Sequence, residues 1–248
     1  MTAHRIVSRD EWTQARRGLM AQEKDLMRQH DALSEARRSL PWVRIDKDYA
    51  FEGANGRETF ASLFGGNSQL IVYHFMMAPG AEAGCPGCSF FADQMRGPYL
   101  HLPHHDVAMA LVSRAPWHDI APFRQRMGWT IPWVSSHGTT FNRDFGVQFS
   151  KDEIASGHID YNFGTITTDQ RYMSEDLPGL SVFFRDKDGS IYLTYSAYAR
   201  GLDPFMGSQH FLDVTPKGRN ERTESGDLID WVRHHDKYDN GAAKPCCG

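Results

Sequence analysis

The 248-residue chain has little cysteine, no long apolar run and no excess of positive charge. Each shortage removes a class of protein. The four cysteines fall as two close pairs, Cys85/Cys88 and Cys246/Cys247. That is not the scattered framework of a small secreted domain, so local redox, catalytic or metal chemistry is the better reading. No stretch approaches the ~18 apolar residues of a membrane span. Met1-Thr2-Ala3-His4-Arg5 runs into charged sequence instead of the apolar segment of a secretory leader, and a cytoplasmic location is the expectation. With 27 Lys and Arg against 31 Asp and Glu, the formal charge is −4. A chain of that balance has no general attraction to phosphate backbones or anionic lipid, so neither nucleic acid nor membrane is expected as a partner. No internal repeat or low-complexity linker marks a second domain.

What is present suits a packed interior: 40% of residues are apolar and 23% charged, with fifteen Phe and six Trp as core material. Ser8-Arg9-Asp10-Glu11 has the form of a capping box and no proline follows until Pro41, which predicts a long helix over 9–38. Trp12, Leu19, Leu26, Leu33 and Leu40 recur every seventh residue, but the positions three further on are Ala15, Gln22, Gln29 and Ala36, a thin seam. The stripe reads either as an extension packed across its own domain or as the contact of a homodimer. Tyr49 to Phe60, with Asn55-Gly56 at its middle, predicts a hairpin around a type I′ turn.

Leu70 to Met77 is almost continuously apolar and predicts a central strand covered on both faces. Asp106 to Val112 repeats that character, a helix is predicted at about 117–127, and Ile131 to Val134 is a third apolar segment. Such alternation argues for an α/β chain with parallel strands. The stretch from about 135 to 176 is polar and Gly-rich and is assigned no element. Gly179 to Arg185 and Ser190 to Tyr195 flank Asp186-Lys187-Asp188-Gly189 as a hairpin. Helices are predicted near 202–212 and 227–236. The chain thus divides into a helical extension (1–44), a main domain (45–215) and a closing helix and tail (216–248).

The chemistry centres on Cys85-Pro86-Gly87-Cys88, which precedes a helix-forming run and has a proline near the first helical position. A cysteine at a helix N-terminus faces unpaired N–H groups and the positive end of the macrodipole. Both lower its pKa from the free value of about 8.5. Cys88, three residues on, lies nearly one turn away, close enough to attack a mixed disulfide at Cys85. A CxxC is also half a zinc site or an inert pair, but adjacent Cys246 and Cys247 make awkward partners for a four-ligand ion. His101, His104 and His105 follow the dithiol, though Pro103 interrupts a shared helical face, and they read as surface histidines. No cofactor and no metal are assigned. His74, inside the apolar strand, reads as a core histidine or as a proton-transfer partner for Cys88. Pro178 opens a predicted strand, either as a plain boundary residue or as a cis-proline facing the dithiol. Cys246 and Cys247 read as part of a mobile tail, or as a pair that resolves a disulfide if the tail folds back.

The order of hairpin, strand, CxxC helix, strand, helix, strand, Pro-led hairpin and helix resembles the thioredoxin superfamily in its peroxiredoxin-like elaboration, over about residues 45–212. Leu70 to Met76, Gly84 to Phe90, Val112 to Pro116 and Leu180 to Asp186 resemble more closely a bacterial thioredoxin-like family catalogued as a domain of unknown function. The resemblance implies a thioredoxin-like α/β fold with a central mixed sheet, an N-terminal hairpin and the long helical extension. It makes Cys85 the attacking and Cys88 the resolving cysteine, and Pro178 the candidate cis-proline, and it sets His74 near the buried acidic residue of thioredoxins. Gly84 stands where thioredoxins carry Trp, the inner dipeptide is Pro-Gly instead of Gly-Pro, and the loop into Cys85 is longer. Peroxiredoxins carry Thr where Glu82 stands, which argues against classical peroxidase chemistry. The resulting expectation is a thiol–disulfide oxidoreductase acting on a disulfide-containing protein or a small-molecule thiol or disulfide, or on a peroxide by a nonstandard route. The alternatives are a copper- or zinc-handling thioredoxin-like protein, or a noncatalytic dimeric binding module.

Overall fold

The computed structural model describes residues 4–167, 174–219 and 231–238. The chain forms two compact units, residues 1–42 and residues 43–248. In the first, α1 spans Arg9–Arg38, as the capping signal predicts. The Ser8 hydroxyl accepts the N–H of Glu11, and the Glu11 carboxylate takes the N–H of Ser8. Asp10 and Glu11 lie at its positive end and Arg37 and Arg38 at its negative end, each favourable to the helix dipole. No residue of α1 is buried, and Trp12, Leu19, Leu26 and Leu33 are each about half exposed.

The second unit runs in the order β1 (Val43–Ile45), β2 (Ala50–Gly53), β3 (Gly56–Thr59), β4 (Gln69–His74), α2 (Pro86–His101), β5 (Val107–Ser113), α3 (Trp117–Arg126) and β6 (Trp133–Ser135). It continues through α4 (Phe141–Asp144), α5 (Lys151–Ser156), β7 (His158–Tyr161), β8 (Gly164–Thr167), β9 (Gly179–Arg185), β10 (Ile191–Tyr198) and α6 (Gly207–Asp213). Eight strands form one sheet in the order β1-β10-β9-β4-β5-β6-β2-β3, while β7 and β8 pair separately. β4 is parallel to β5 and antiparallel to β9, and β9 is antiparallel to β10. The order β5-β4-β9-β10, with α2 between the parallel strands and helices after β10, is a thioredoxin-like fold with a mixed sheet. The unit begins at residue 43, slightly before the boundary at 44 read from sequence, because Val43–Ile45 pairs with β10.

All seven residues of β5 are buried, as a strand covered on both faces requires. Side chains alternate across the sheet and divide the interior in two. One face carries Tyr73, Met109, Leu111 and Leu180, packed with Phe91 and Met95 of α2 and Ile120 and Phe123 of α3. The other carries Leu70, Val72, Ala110, Val112 and Phe183 under an aromatic cluster. Within that cluster the Phe141 ring lies 5.0 Å from Tyr49, 4.9 Å from Phe51 and 4.7 Å from Phe145.

Several expectations are corrected. The first hairpin is present, but Gly53 pairs with Gly56 and the turn residues are Ala54 and Asn55; positive φ is taken by Gly56 alone, so the turn is not type I′. A type I′ arrangement instead joins β7 to β8, with Asn162 and Phe163 at φ 55° and 62°. The stretch 135–176 holds α4, α5 and that second hairpin; Ser150 and Glu153 form a capping box. The expected helix at 202–212 is a 3-10 segment, Ala199–Phe205, followed by α6. Of the helix expected at 227–236, residues 227–230 lie outside the described residues, and the described part is a short 3-10 turn, His235–Lys237. Cys246 and Cys247 also lie outside them.

His74 belongs to the second face. Its Nε2 lies 2.9 Å from the Ser181 hydroxyl, its ring lies 5.6 Å from Phe141, and its buried Nδ1 has no hydrogen-bond partner. Burial pushes its pKa down from 6.5 to about 3.

Two outcomes follow from this packing. Phe141→Ala should destabilise the protein by about 3–5 kcal/mol, the cost of an unfilled aromatic site, and Phe141→Leu by less, as read from urea unfolding. In the unfolded chain His74 takes up a proton near its ordinary pKa of 6.5, while in the folded chain it stays neutral down to about 3. Between those values the unfolded state binds more protons, so stability should fall as pH drops through that window, by up to about 5 kcal/mol. His74→Gln, which keeps a polar group for Ser181 and cannot titrate there, should flatten the dependence in urea melts taken at a series of pH values.

Candidate functional site

The last residues of β4 lead into the site. Past His74 the chain keeps its strand bonding for one more residue, with the Phe75 N–H on the Val112 carbonyl at 2.9 Å. It then loops out and returns at Cys85, whose N–H meets the Met76 carbonyl at 3.0 Å. Cys85 is the N-cap of α2 and Pro86 its first residue, where the missing N–H costs nothing. The Cys85 carbonyl accepts both the N–H and the hydroxyl of Ser89, each at 2.9 Å, which fixes the first turn.

The two cysteines differ in surroundings. Cys85 is half-buried, whereas Cys88 is only 2% exposed and joins the core beneath α2. Burial pushes the Cys88 thiol well above its ordinary range, and hydrogen bonding to Cys85 and the Cys85 charge raise it further. Two groups act in the opposite direction, Tyr73 by a hydrogen bond and Met76 by its N–H, 3.4 Å from the Cys88 sulfur. The Tyr73 phenol is itself held protonated, first by burial and then by the Cys88 charge, so it donates to the sulfur. Its ring is fixed by stacking on Phe91 at 4.1 Å and by an edge contact with Phe75 at 6.3 Å.

Gly84 is required by crowding. A Cβ there would lie 2.3 Å from a ring carbon of Phe75 and 2.9 Å from one of Phe123. The position where thioredoxins carry Trp therefore has no room for a side chain. The Gly84 carbonyl is gripped instead by His234, whose Nε2 lies 2.8 Å away. Arg126 donates to His234 Nδ1 at 2.8 Å, so the proton of the neutral ring sits on Nε2 and is donated to Gly84. Arg126 in turn holds Asp236 at 2.8 and 3.1 Å. Nothing in the local sequence signals a partner 150 residues downstream, and neither Tyr73 nor His234 was singled out by motif.

Of the expected site residues, Cys85 and Cys88 come together and His74 does not join them. One position along β4 from Tyr73, it points to the opposite side of the sheet, which removes it as a proton carrier for Cys88. Pro178 does open β9, but no peptide bond among the described residues is cis, which corrects the cis-proline expectation. Its carbonyl accepts the Tyr161 hydroxyl at 2.5 Å. His101, His104 and His105 are exposed at the end of α2 and in the 3-10 turn after it. Among the described residues no group of three or more His, Cys, Asp or Glu is placed to hold a metal ion, and no helix is long and apolar enough to cross a membrane. A cavity of about 850 Å³ lies among residues 44–50, Arg57, 59–61 and 188–191, and neither Cys85 nor Cys88 lines it.

Comparison with solved structures gives low-identity likenesses. Peroxidoxin BcpB from Mycobacterium tuberculosis is 14% identical, with 65% of this chain and 91% of that chain covered and a TM-score of 0.44. Peroxiredoxin Q from Xanthomonas campestris is 12% identical over 64% and 87%, with a TM-score of 0.43. A protein classed as the thiol:disulfide interchange protein DsbE from Chlorobium tepidum is 12% identical over 68% and 98%, with a TM-score of 0.41. No curated protein matches. The thioredoxin-like assignment stands on the strand order and directions and on the dithiol's place between β4 and α2. A family model described as bacterial protein of unknown function (DUF899) matches residues 1–238, and the chain belongs to that family.

Proposed function

We propose that the protein is a thiol–disulfide oxidoreductase in which Cys85 attacks and Cys88 resolves. The observation that carries this reading is the asymmetry of the pair, a partly buried cysteine at the start of α2 beside a fully buried one served by two hydrogen-bond donors. The Cys85 thiolate attacks one sulfur of a substrate disulfide, a new S–S bond forms, and the other substrate sulfur leaves as a thiolate and takes up a proton. Cys88 then loses its proton, with the Tyr73 hydroxyl and the Met76 N–H stabilising the charge, and attacks the Cys85 sulfur. The second substrate sulfur leaves. The substrate gains two electrons and two protons, and the protein ends as the Cys85–Cys88 disulfide. The substrate class is a protein disulfide or a small-molecule disulfide.

Single substitutions separate the steps. Cys85→Ser should abolish reduction of a disulfide substrate, whereas Cys88→Ser should attack and accumulate a mixed disulfide visible by mass spectrometry. Iodoacetamide rates across pH should show Cys85 reacting at lower pH than Cys88. Equal rates at both sulfurs, with apparent pKa values near the free-thiol figure of about 8.5, would defeat the mechanism.

We also propose that α1 pairs with α1 of a second copy. Its line of Trp12, Leu19, Leu26 and Leu33 supplies one apolar residue per heptad, and each is about half exposed in the single chain. Light scattering of the full chain at micromolar concentration should give a dimer, and Leu19→Glu with Leu26→Glu should halve the mass. A monomer in the unsubstituted protein would remove this assignment and leave the dithiol chemistry untouched.

A further inference from the structure

The peptide groups on either side of Cys85 decide where its sulfur sits. On the helix side the Cys85 carbonyl is held by Ser89 and the proline ring of Pro86 fixes its own φ. On the other side the Cys85 N–H meets the Met76 carbonyl at 3.0 Å, and the Gly84 carbonyl meets His234 Nε2 at 2.8 Å. Gly84 is the weak place in this approach. It has no side chain by which packing could hold it, and glycine has the most permissive backbone of any residue. It is also buried, so its carbonyl has lost water and needs a donor from the protein. Only a residue far along the chain supplies one.

That residue is itself held from several directions. Arg126 of α3 donates to His234 Nδ1 at 2.8 Å and is oriented by the Asp236 carboxylate at 2.8 and 3.1 Å. The His234 ring packs on Phe123 at 5.2 Å, one of the two rings that crowd Gly84. Its neighbours fasten the segment to α2: the Trp231 ring meets Phe90 at 5.6 Å, Val232 is buried, and His235 lies 2.8 Å from Asp93. Asp93 also accepts the Trp129 indole N–H. Both nitrogens of the His234 ring are therefore engaged, one accepting from Arg126 and one donating to Gly84. This arrangement suits a fixed hydrogen-bond donor and leaves no free nitrogen to act as a base for either thiol.

We infer that His234 is a positioning residue for the attacking cysteine: backed by Arg126 and Asp236, it pins the Gly84–Cys85 peptide so that the Cys85 sulfur stays against the N–H groups that open α2. The inference rests on the dithiol reading above. In that reading the Cys85 thiolate is favoured by the unpaired N–H groups and the dipole of α2, an influence confined to the first turn of a helix. A sulfur that drifts from the helix start loses it, and the balance moves towards the unreactive thiol. His234 takes no part in the exchange of electrons or protons. Its effect is on how much of the Cys85 thiolate is present and where it points.

The test follows alkylation of Cys85 by iodoacetamide across pH, read on the Cys85 peptide by mass spectrometry, in the full chain carrying Cys88→Ser. Adding His234→Phe keeps a ring on Phe123 and removes the donor. It should move the profile to higher pH and slow alkylation at neutral pH severalfold. His234→Gln has an amide N–H for Gly84 and an oxygen for Arg126, and should restore most of the reactivity. Arg126→Met, which removes the donor that orients His234, should shift the profile in the same direction as His234→Phe; it decides the matter if His234→Phe does not fold by circular dichroism. Profiles of the Phe and Met variants that coincide with that of the Cys88→Ser parent overturn the inference. So does a Gln variant no better than Phe, since the hydrogen bond would then not be the cause. Reduction of a small-molecule disulfide by the fully reduced unsubstituted chain is measured separately. Its absence sinks the dithiol reading, whereas its presence with unmoved profiles sinks only the role of His234.

Discussion

The peptide of Met76 ties the sheet to both sulfurs. Its carbonyl takes the Cys85 N–H and its own N–H faces the Cys88 sulfur, so the residue after the last strand bond of β4 sets where both thiols lie. The chain between these contacts must leave the sheet and return to it within a few residues. The Ala115 N–H holds the Met77 carbonyl at 2.8 Å, and Asp119 of α3 accepts the Gly80 N–H at 3.0 Å. On the way back the loop passes so near Phe75 and Phe123 that Gly84 has no space for a Cβ. The absence of the thioredoxin Trp is thus a packing consequence, since two phenylalanines already fill the region beside the dithiol.

The two-residue period of a strand then decides which neighbours can take part in the chemistry. Tyr73 and His74 are adjacent, yet one hydrogen-bonds Cys88 and the other is enclosed by Phe141, Phe145 and Ser181 on the far side. A histidine beside a CxxC strand invites the role of proton carrier on chemical grounds alone. Geometry gives that place to a phenol, which stays protonated in its buried position and can only donate. Its hydrogen bond favours the Cys88 thiolate, against the burial that holds the thiol protonated.

How far this was legible in the sequence depends on the distance over which each feature is encoded. α1, the β4 run into Cys85 and the β9–β10 hairpin are specified by neighbours in the chain: a capping box, an unbroken apolar run, and a turn at Asp186 to Gly189. Those elements and the pairing of Cys85 with Cys88 were readable. The stretch 135–176 was not, because its elements are short and its tight turn uses Asn162-Phe163, where the left-handed backbone is unusual for an aromatic residue. Phe163 is held by an edge contact with Tyr198 at 5.4 Å, a tertiary cause that no local pattern reports. His234 escaped for the same reason: its place is set by Gly84, Arg126 and Phe123, none of them near it in sequence.

Burial of Cys88 would by itself make a poor nucleophile, and the order of events removes part of that difficulty. Three influences hold its thiol protonated: loss of water, hydrogen bonding to Cys85, and the negative charge of Cys85. The last two exist only while Cys85 carries a free thiolate. In the proposed mechanism, once Cys85 has attacked a substrate disulfide its sulfur is neutral and bonded, so both influences fall away, while the opposing Tyr73 and Met76 donors stay in place. Cys88 then ionises more readily at the stage when its attack is needed. Before that stage, on the same proposal, these influences keep the Cys88 thiol from attacking substrate itself. In the proposed mechanism the order of the two attacks then follows from the electrostatics of the helix start.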